Sequence, residues 1–205
     1  MKSIEKLILS SMYVASISDK SPIEIIKEKG GITEEVIDSK IDECIVNQLI
    51  NEDRKTLTEL GRTSLKIVLA GGVFDIIHPG HIHTLMAAKD LGDVLVVAIA
   101  TDKTAEKMKK RLPLHSQDQR KMLVDALSVV DVGIVGNEED LFKTVDLIRP
   151  QIIALGYDQV HQEKFITEGC KKINLDVTVA RLQSPIPEVS SSIIEKKYGE
   201  NIHGI

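Results

Sequence analysis

The 205-residue chain has no tryptophan, three phenylalanines and three tyrosines, so aromatic residues make up only 3% of it. A core of stacked aromatic rings is thereby excluded, and isoleucine, leucine and valine must supply the buried area. Cysteine is scarce too: Cys44 and Cys170 stand alone, each inside a helical pattern. That excludes a disulfide scaffold and a multi-cysteine metal site, and reads as two reduced core thiols. No apolar run exceeds the seven residues Val94–Ala100, far short of a membrane span. Charges at Lys2, Glu5 and Lys6 and the lack of a clean apolar core with a cleavage site argue against a secretory leader. A cytoplasmic protein is expected. Positive charge is not in excess: 26 Lys and Arg against 31 Asp and Glu leave no basic footprint for nucleic acid. There is no GxGxxG, so a nicotinamide dinucleotide site lacks its main support.

What is present is organised around Lys66–His83. Lys66–Ala70 is a short apolar, β-branched run, the pattern of a buried strand. Gly71 and Gly72 then predict a tight turn in which backbone can approach a ligand. Pro79 suits the first position of a helix, and Ile82, Leu85, Met86, Ala88 and Leu91 follow at helical spacing. A glycine turn feeding a helix N-terminus favours a phosphate. His78 and His81, three apart across that junction, can both face one anion. Further strands are expected at Val94–Ala100, Val129–Val135, Ile152–Leu155 and Val177–Ala180. Helices are expected at Gln117–Leu127, Glu138–Ile148, Phe165–Ile173 and Ser190–Lys197; Thr101-Asp102 ends the second strand, and Lys107, Lys109, Lys110 and Arg111 after it read as a basic loop, either solvated or a flexible clamp on substrate. Strands alternating with helices imply an α/β, Rossmann-like parallel sheet, with ligands beyond the carboxyl ends of its strands.

Gly72-Val73-Phe74-Asp75 followed by His78-Pro79-Gly80-His81 resembles the GxFDxxHxGH signature of cytidylyltransferase-like nucleotidylyltransferases. The resemblance covers roughly Ser64 to Gly199. It implies transfer of an NMP group from ATP or CTP to a phosphorylated acceptor, with Mg2+ accompanying the triphosphate and no protein-held metal. His78 and His81 would be the catalytic, phosphate-binding pair, with Lys109 beside them. Gly71, Gly72, Val73, Phe74, Asp75, Gly80 and Arg120 would line the nucleotide. So would Gly156 and Asp158 of the G-x-D element, and Ser190, Ser191 and Ser192 of the closing serine run. Asp102, Lys107 and Lys110 would serve the acceptor. Two departures stand out. Val73 replaces a frequent Thr, and Pro185 stands where an Arg usually lies, with Arg181 the nearest candidate. Pro150–Gln159 is similar to archaeal FAD synthases, which adenylylate FMN. Ala98–Asp102 and Leu114-His115-Ser116 lean toward glycerol-phosphate cytidylyltransferases, so a CDP-polyol product stays open.

Residues 1–63 read differently, as three helices, a polar hairpin and a Leu-Thr-x-x-Gly-Arg close, and they resemble a winged-helix module. Its third helix carries Glu34, Glu35, Asp38, Asp42 and Glu43 against Lys40. Residues 1–62 hold 9 Lys and Arg against 12 Asp and Glu. That charge opposes phosphate, so a DNA-binding nucleotide sensor is disfavoured. Homodimerisation or a structural lid is the expected role. The expected boundary places a catalytic domain at 64–205.

Overall fold

The computed structural model describes residues 3–156 and 159–183. Five strands form one parallel sheet: β1 (Ile67–Gly72), β2 (Val94–Ile99), β3 (Val132–Val135), β4 (Ile152–Leu155) and β5 (Thr178–Arg181). Their order is β3-β2-β1-β4-β5. The chain winds outward from β1 to β3 and then returns to place β4 on the other side of β1. That reversal opens a crevice above β1 and β4, where open α/β sheets bind ligands.

Alternation along each strand sends side chains to two cores. Ile67, Leu69, Val94, Val96 and Ile153 join one; Val68, Ala70, Leu95, Val97 and Ile152 join the other. The second core is closed by Leu85 and Ala88 of α5 (Pro79–Lys89) and by Val124 of α7 (Gln117–Asp125). The first is closed partly by Val145 and Ile148 of α8 (Leu141–Ile148) and by Ile166 and Cys170 of α9 (Glu163–Lys172).

The amino-terminal segment completes that first core. Its helices are α1 (Ile4–Ser16), α2 (Pro22–Gly30), α3 (Glu34–Val46) and the short α4 (Glu59–Thr63), with an antiparallel bridge between Ile50 and Leu57. Ser3 caps α1, Ser21 and Glu24 form a capping box on α2, and Gly31 ends α2 at φ 56°. Ile8, Leu9 and Met12 of α1 are continuous with the sheet's first core. The Tyr13 hydroxyl donates to the Ile148 carbonyl at 2.9 Å, and Arg62 donates to the carbonyls of Ile148 and Arg149 at 3.0 and 2.6 Å. Lys6 pairs with Asp93 at 2.6 Å and Lys29 with Asp131 at 2.7 Å. Asp93 and Asp131 precede β2 and β3, and Arg149 precedes β4. The segment therefore docks at the amino ends of the strands, away from the crevice, and is not a lid over it.

The glycines also sit differently from expectation. Gly71 and Gly72 are the last two residues of β1, and the turn begins at Val73. Phe74 takes the left-handed conformation, at φ 55°. Gly72 is needed for a packing reason: a Cβ there would lie 2.9 Å from the Phe74 ring. The basic loop after β2 is also a helix, α6 (Asp102–Lys109), capped by Thr101 and ended by Lys110 at φ 57°. Among the described residues no helix is long and apolar enough to cross a membrane.

Candidate active site

The site starts from a strained turn. A bulky residue at positive φ costs on the order of 1–3 kcal/mol and persists only where its surroundings over-determine it. Here Phe74 is buried, and its ring centroid lies 5.2 Å from that of His81. Beyond the turn, His78 stands at the N-cap of α5 in extended conformation and Pro79 opens the helix. The His81 N–H donates to the His78 carbonyl at 2.9 Å, which closes the first turn. The two imidazoles stack, with centroids 3.9 Å apart and planes inclined by 32°. Both Nδ1 atoms are buried without a hydrogen-bond partner among the described residues. His83 is exposed.

Burial pushes the His81 pKa down to about 4, helped by His78 and Lys109, while a bond to the Ile76 backbone opposes the shift. Burial and Lys109 also hold His78 below its ordinary value. Lys109 thus acts electrostatically on both rings. The pair is neutral at pH 7; the single N–H of the His81 ring is taken by the Ile76 backbone, which leaves its buried Nδ1 an acceptor until the ring gains a proton.

Asp75 is buried under the turn. Its Oδ2 accepts from Arg111 and from the Leu114 N–H, both at 3.0 Å, and its Oδ1 accepts from the His115 N–H at 3.1 Å. Burial alone would raise its pKa, but the Leu114 and His115 N–H groups and Arg111 outweigh that and hold the carboxyl below its usual range. The side chain tethers the segment between α6 and α7. Arg120 is fully buried and works from the other side. Its Nε donates to the His115 carbonyl at 3.0 Å, its Nη1 to the Val73 carbonyl at 2.6 Å and its Nη2 to Asp102 Oδ1 at 2.8 Å. Arg120 thus joins Asp102 to the turn, and the Asp102 side chain stays 41% exposed. Lys107 and Lys110 are exposed near the end of α6. Asp158 and Ser190, Ser191 and Ser192 lie outside the described residues. Gly156 follows β4, and its N–H donates to Gln159 Oε1 at 2.9 Å.

Across the carboxyl ends of the strands, on the side of the first core, lies a cleft of about 400 Å3. Its floor includes Gly71, Gly72, Ala98 and Thr101, and its walls include Met108, Leu141 and Phe165. None of those wall residues is legible as a site residue in the sequence, because they come from three helices and converge only in the fold. No group of three or more His, Cys, Asp or Glu side chains converges to hold a metal among the described residues. Glu138 lines the cleft and pairs with Lys103, while Asp75 and Asp102 pair with arginines.

A parallel Rossmann-like sheet whose first helix opens on paired histidines is the architecture of a nucleotidylyltransferase. The chain belongs to the cytidylyltransferase-like family, whose model matches residues 69–197. It is 47% identical over 125 residues to a protein from Picrophilus torridus named FAD synthase, covering 61% of this chain and 89% of that one. It is 44% identical over 134 residues to the FAD synthase of Aciduliprofundum boonei, covering 65% and 80%. The crystal structure of a lipopolysaccharide core biosynthesis protein from Thermoplasma volcanium GSS1 is 42% identical to it. That likeness covers 58% of this chain and 98% of that one, with a TM-score of 0.56.

Proposed function

We propose that the protein adenylylates FMN, consuming MgATP and releasing pyrophosphate to make FAD. The terminal phosphate oxygen of FMN attacks the α-phosphorus of ATP. A new P–O bond forms as the α–β bridging P–O bond breaks, and the electron pair leaves with pyrophosphate. Such a transfer needs positioning and charge stabilisation more than covalent help. The observation that carries the reading is the stacked imidazole pair of His78 and His81 at the mouth of α5, each with a buried Nδ1 that no described residue bonds. In this reading the helix N-terminus and the two rings, once protonated on Nδ1, receive the α- and β-phosphates. The negative charge there draws protons onto rings that are neutral in the free protein. Gly71 and Gly72 let the triphosphate approach the backbone, and Lys109 adds charge. The magnesium ion arrives as part of the nucleotide substrate, since the donor set does not favour a resident one. Kinship with proteins named FAD synthase supports ATP and FMN as the pair.

The CDP-polyol alternative is less well supported. A glycerol phosphate would place hydroxyls against Met108, Leu141 and Phe165. The amino-terminal segment is read as a winged-helix-like structural unit and not as a nucleic-acid reader. Arg54 of its hairpin is taken up by Asp38 and Asp42 of α3, and with Glu34, Glu35 and Glu43 against Lys40 that helix stays acidic.

The test is pyrophosphate release from ATP and from CTP, each with FMN or glycerol 3-phosphate. ATP with FMN should yield FAD and pyrophosphate in equal amounts. Release only with CTP and glycerol 3-phosphate, or from no pair, would overturn the assignment.

A further inference from the structure

We infer that the cleft between α6, α8 and α9 is the seat of the acceptor's flat ring system, with the exposed face of Phe165 as its stacking surface. The inference rests on the FMN reading and goes beyond it by naming the residues that select the acceptor. Scattered exposed apolar side chains need no explanation, but apolar side chains that converge on one concave surface do. Met108 is 54% exposed, Leu141 41% and Phe165 57%. They come from three different helices and line the same cavity.

Phe165 is braced from behind. Its ring meets that of Phe142 at 5.3 Å between centroids, inclined by 56°. Phe142 in turn fills a space that a side chain on α9 would otherwise take, since a Cβ on Gly169 would come within 1.8 Å of the Phe142 ring. An aromatic ring held by a second ring, with its other side open to a cleft, is suited to offset stacking with a flat partner.

Two carboxamides at the cleft bear on the ring's edge. Asn137 Oδ1 accepts from the Glu139 and Asp140 N–H groups, both at 3.0 Å. Gln159 Oε1 accepts from Gly156. With each amide oxygen so engaged, each side chain presents its NH2 group as a donor. That complements a ring with carbonyl acceptors on its edge, as an isoalloxazine has and an adenine lacks. The cleft floor at Gly71, Gly72 and Thr101 adjoins the phosphate turn. A molecule with a ring at one end and a phosphate at the other would therefore bridge the cleft and the imidazole pair.

The experiment measures FAD formation at varied FMN and varied ATP, together with calorimetric binding of FMN to the full chain without ATP. Phe165→Ala should raise the KM for FMN roughly tenfold, in line with the loss of one aromatic stacking partner. The KM for ATP should stay within about twofold, and FMN binding should weaken by a similar factor. Phe165→Tyr should restore both. Phe165→Leu keeps an apolar side chain on α9 and should retain the wild-type melting temperature while still binding FMN more weakly. If wild type makes FAD but Phe165→Leu binds FMN normally, this inference fails while the proposed function stands. If Phe165→Ala instead raises the KM for ATP, the ring in the cleft is adenine and the inference is overturned. If wild type neither binds FMN nor makes FAD, the FMN reading itself fails, and this inference with it.

Discussion

Arg120 Nη1 donates to the Val73 carbonyl at 2.6 Å in a fully buried setting, and this contact ties α7 to the phosphate turn across 47 residues of sequence. The same guanidinium holds the His115 carbonyl and Asp102. Removing one member of a buried charged network leaves the others without partners and costs on the order of 3–5 kcal/mol. Arg120→Ala should lower the urea unfolding free energy by about that much. Arg120→Lys should recover little, because one ammonium cannot reproduce a planar fork that reaches three acceptors. A loss below about 1 kcal/mol in Arg120→Ala would show that the turn does not depend on this side chain.

Asp75 makes a separate prediction. Asn at this position can accept on one oxygen only, so one of the Leu114, His115 and Arg111 donors must face an NH2 group. The cost is on the order of 1–3 kcal/mol, and it falls on the segment between α6 and α7. Limited trypsinolysis should cut after Lys109, Lys110 or Arg111 faster in Asp75→Asn than in wild type. Equal rates would mean that the segment is ordered by other contacts.

The imidazole pair sets a pH dependence with a definite sign. His81 is held near 4 in the folded protein against an ordinary value of 6.5, so between those values the unfolded chain binds the proton more readily. Its contribution to stability is therefore complete above pH 6.5 and is lost as pH falls toward 4. His78 shifts in the same direction. Urea midpoints taken from pH 7.5 down to pH 4.5 should decline, and His81→Gln should flatten the decline. An unchanged slope in that variant would show that the ring is not protected from protonation in the folded state.

Deleting residues 1–62 should expose the side of the sheet that carries Ile67, Leu69, Val94 and Val96, because α1 belongs to the same core. A contiguous apolar surface of that kind drives association. The truncated chain should aggregate or elute well above its monomer mass. A soluble monomer that melts at the full-length temperature would show that the segment is an independent appendage.

Much of this fold can be read from one-dimensional pattern. β2 follows from the unbroken run Val94–Ile99. The starts of α2, α5 and α7 follow from Ser21-Pro22, His78-Pro79 and Ser116. α6 is illegible because it buries only Ala105 and so carries no apolar stripe; a Thr101 cap and a left-handed Lys110 define it. β3 begins three residues later than its apolar run suggests, since Val130 belongs to a turn bonded back to Leu127. The turn lies beyond the two glycines for a subtler reason: the left-handed position falls to Phe74, and its packing against Gly72 and His81 makes that tolerable. The partners of Arg120 and the convergence on the cleft depend on contacts across the sheet, which local spacing does not carry.

The central claim is that the stacked imidazoles carry the transfer, and the rate of FAD formation by His81→Ala from MgATP and FMN tests it most directly. Loss of one preorganised donor at the reacting phosphate predicts a fall in kcat on the order of 10²-fold or more, in a protein that still folds. A kcat within a few-fold of wild type would contradict the account.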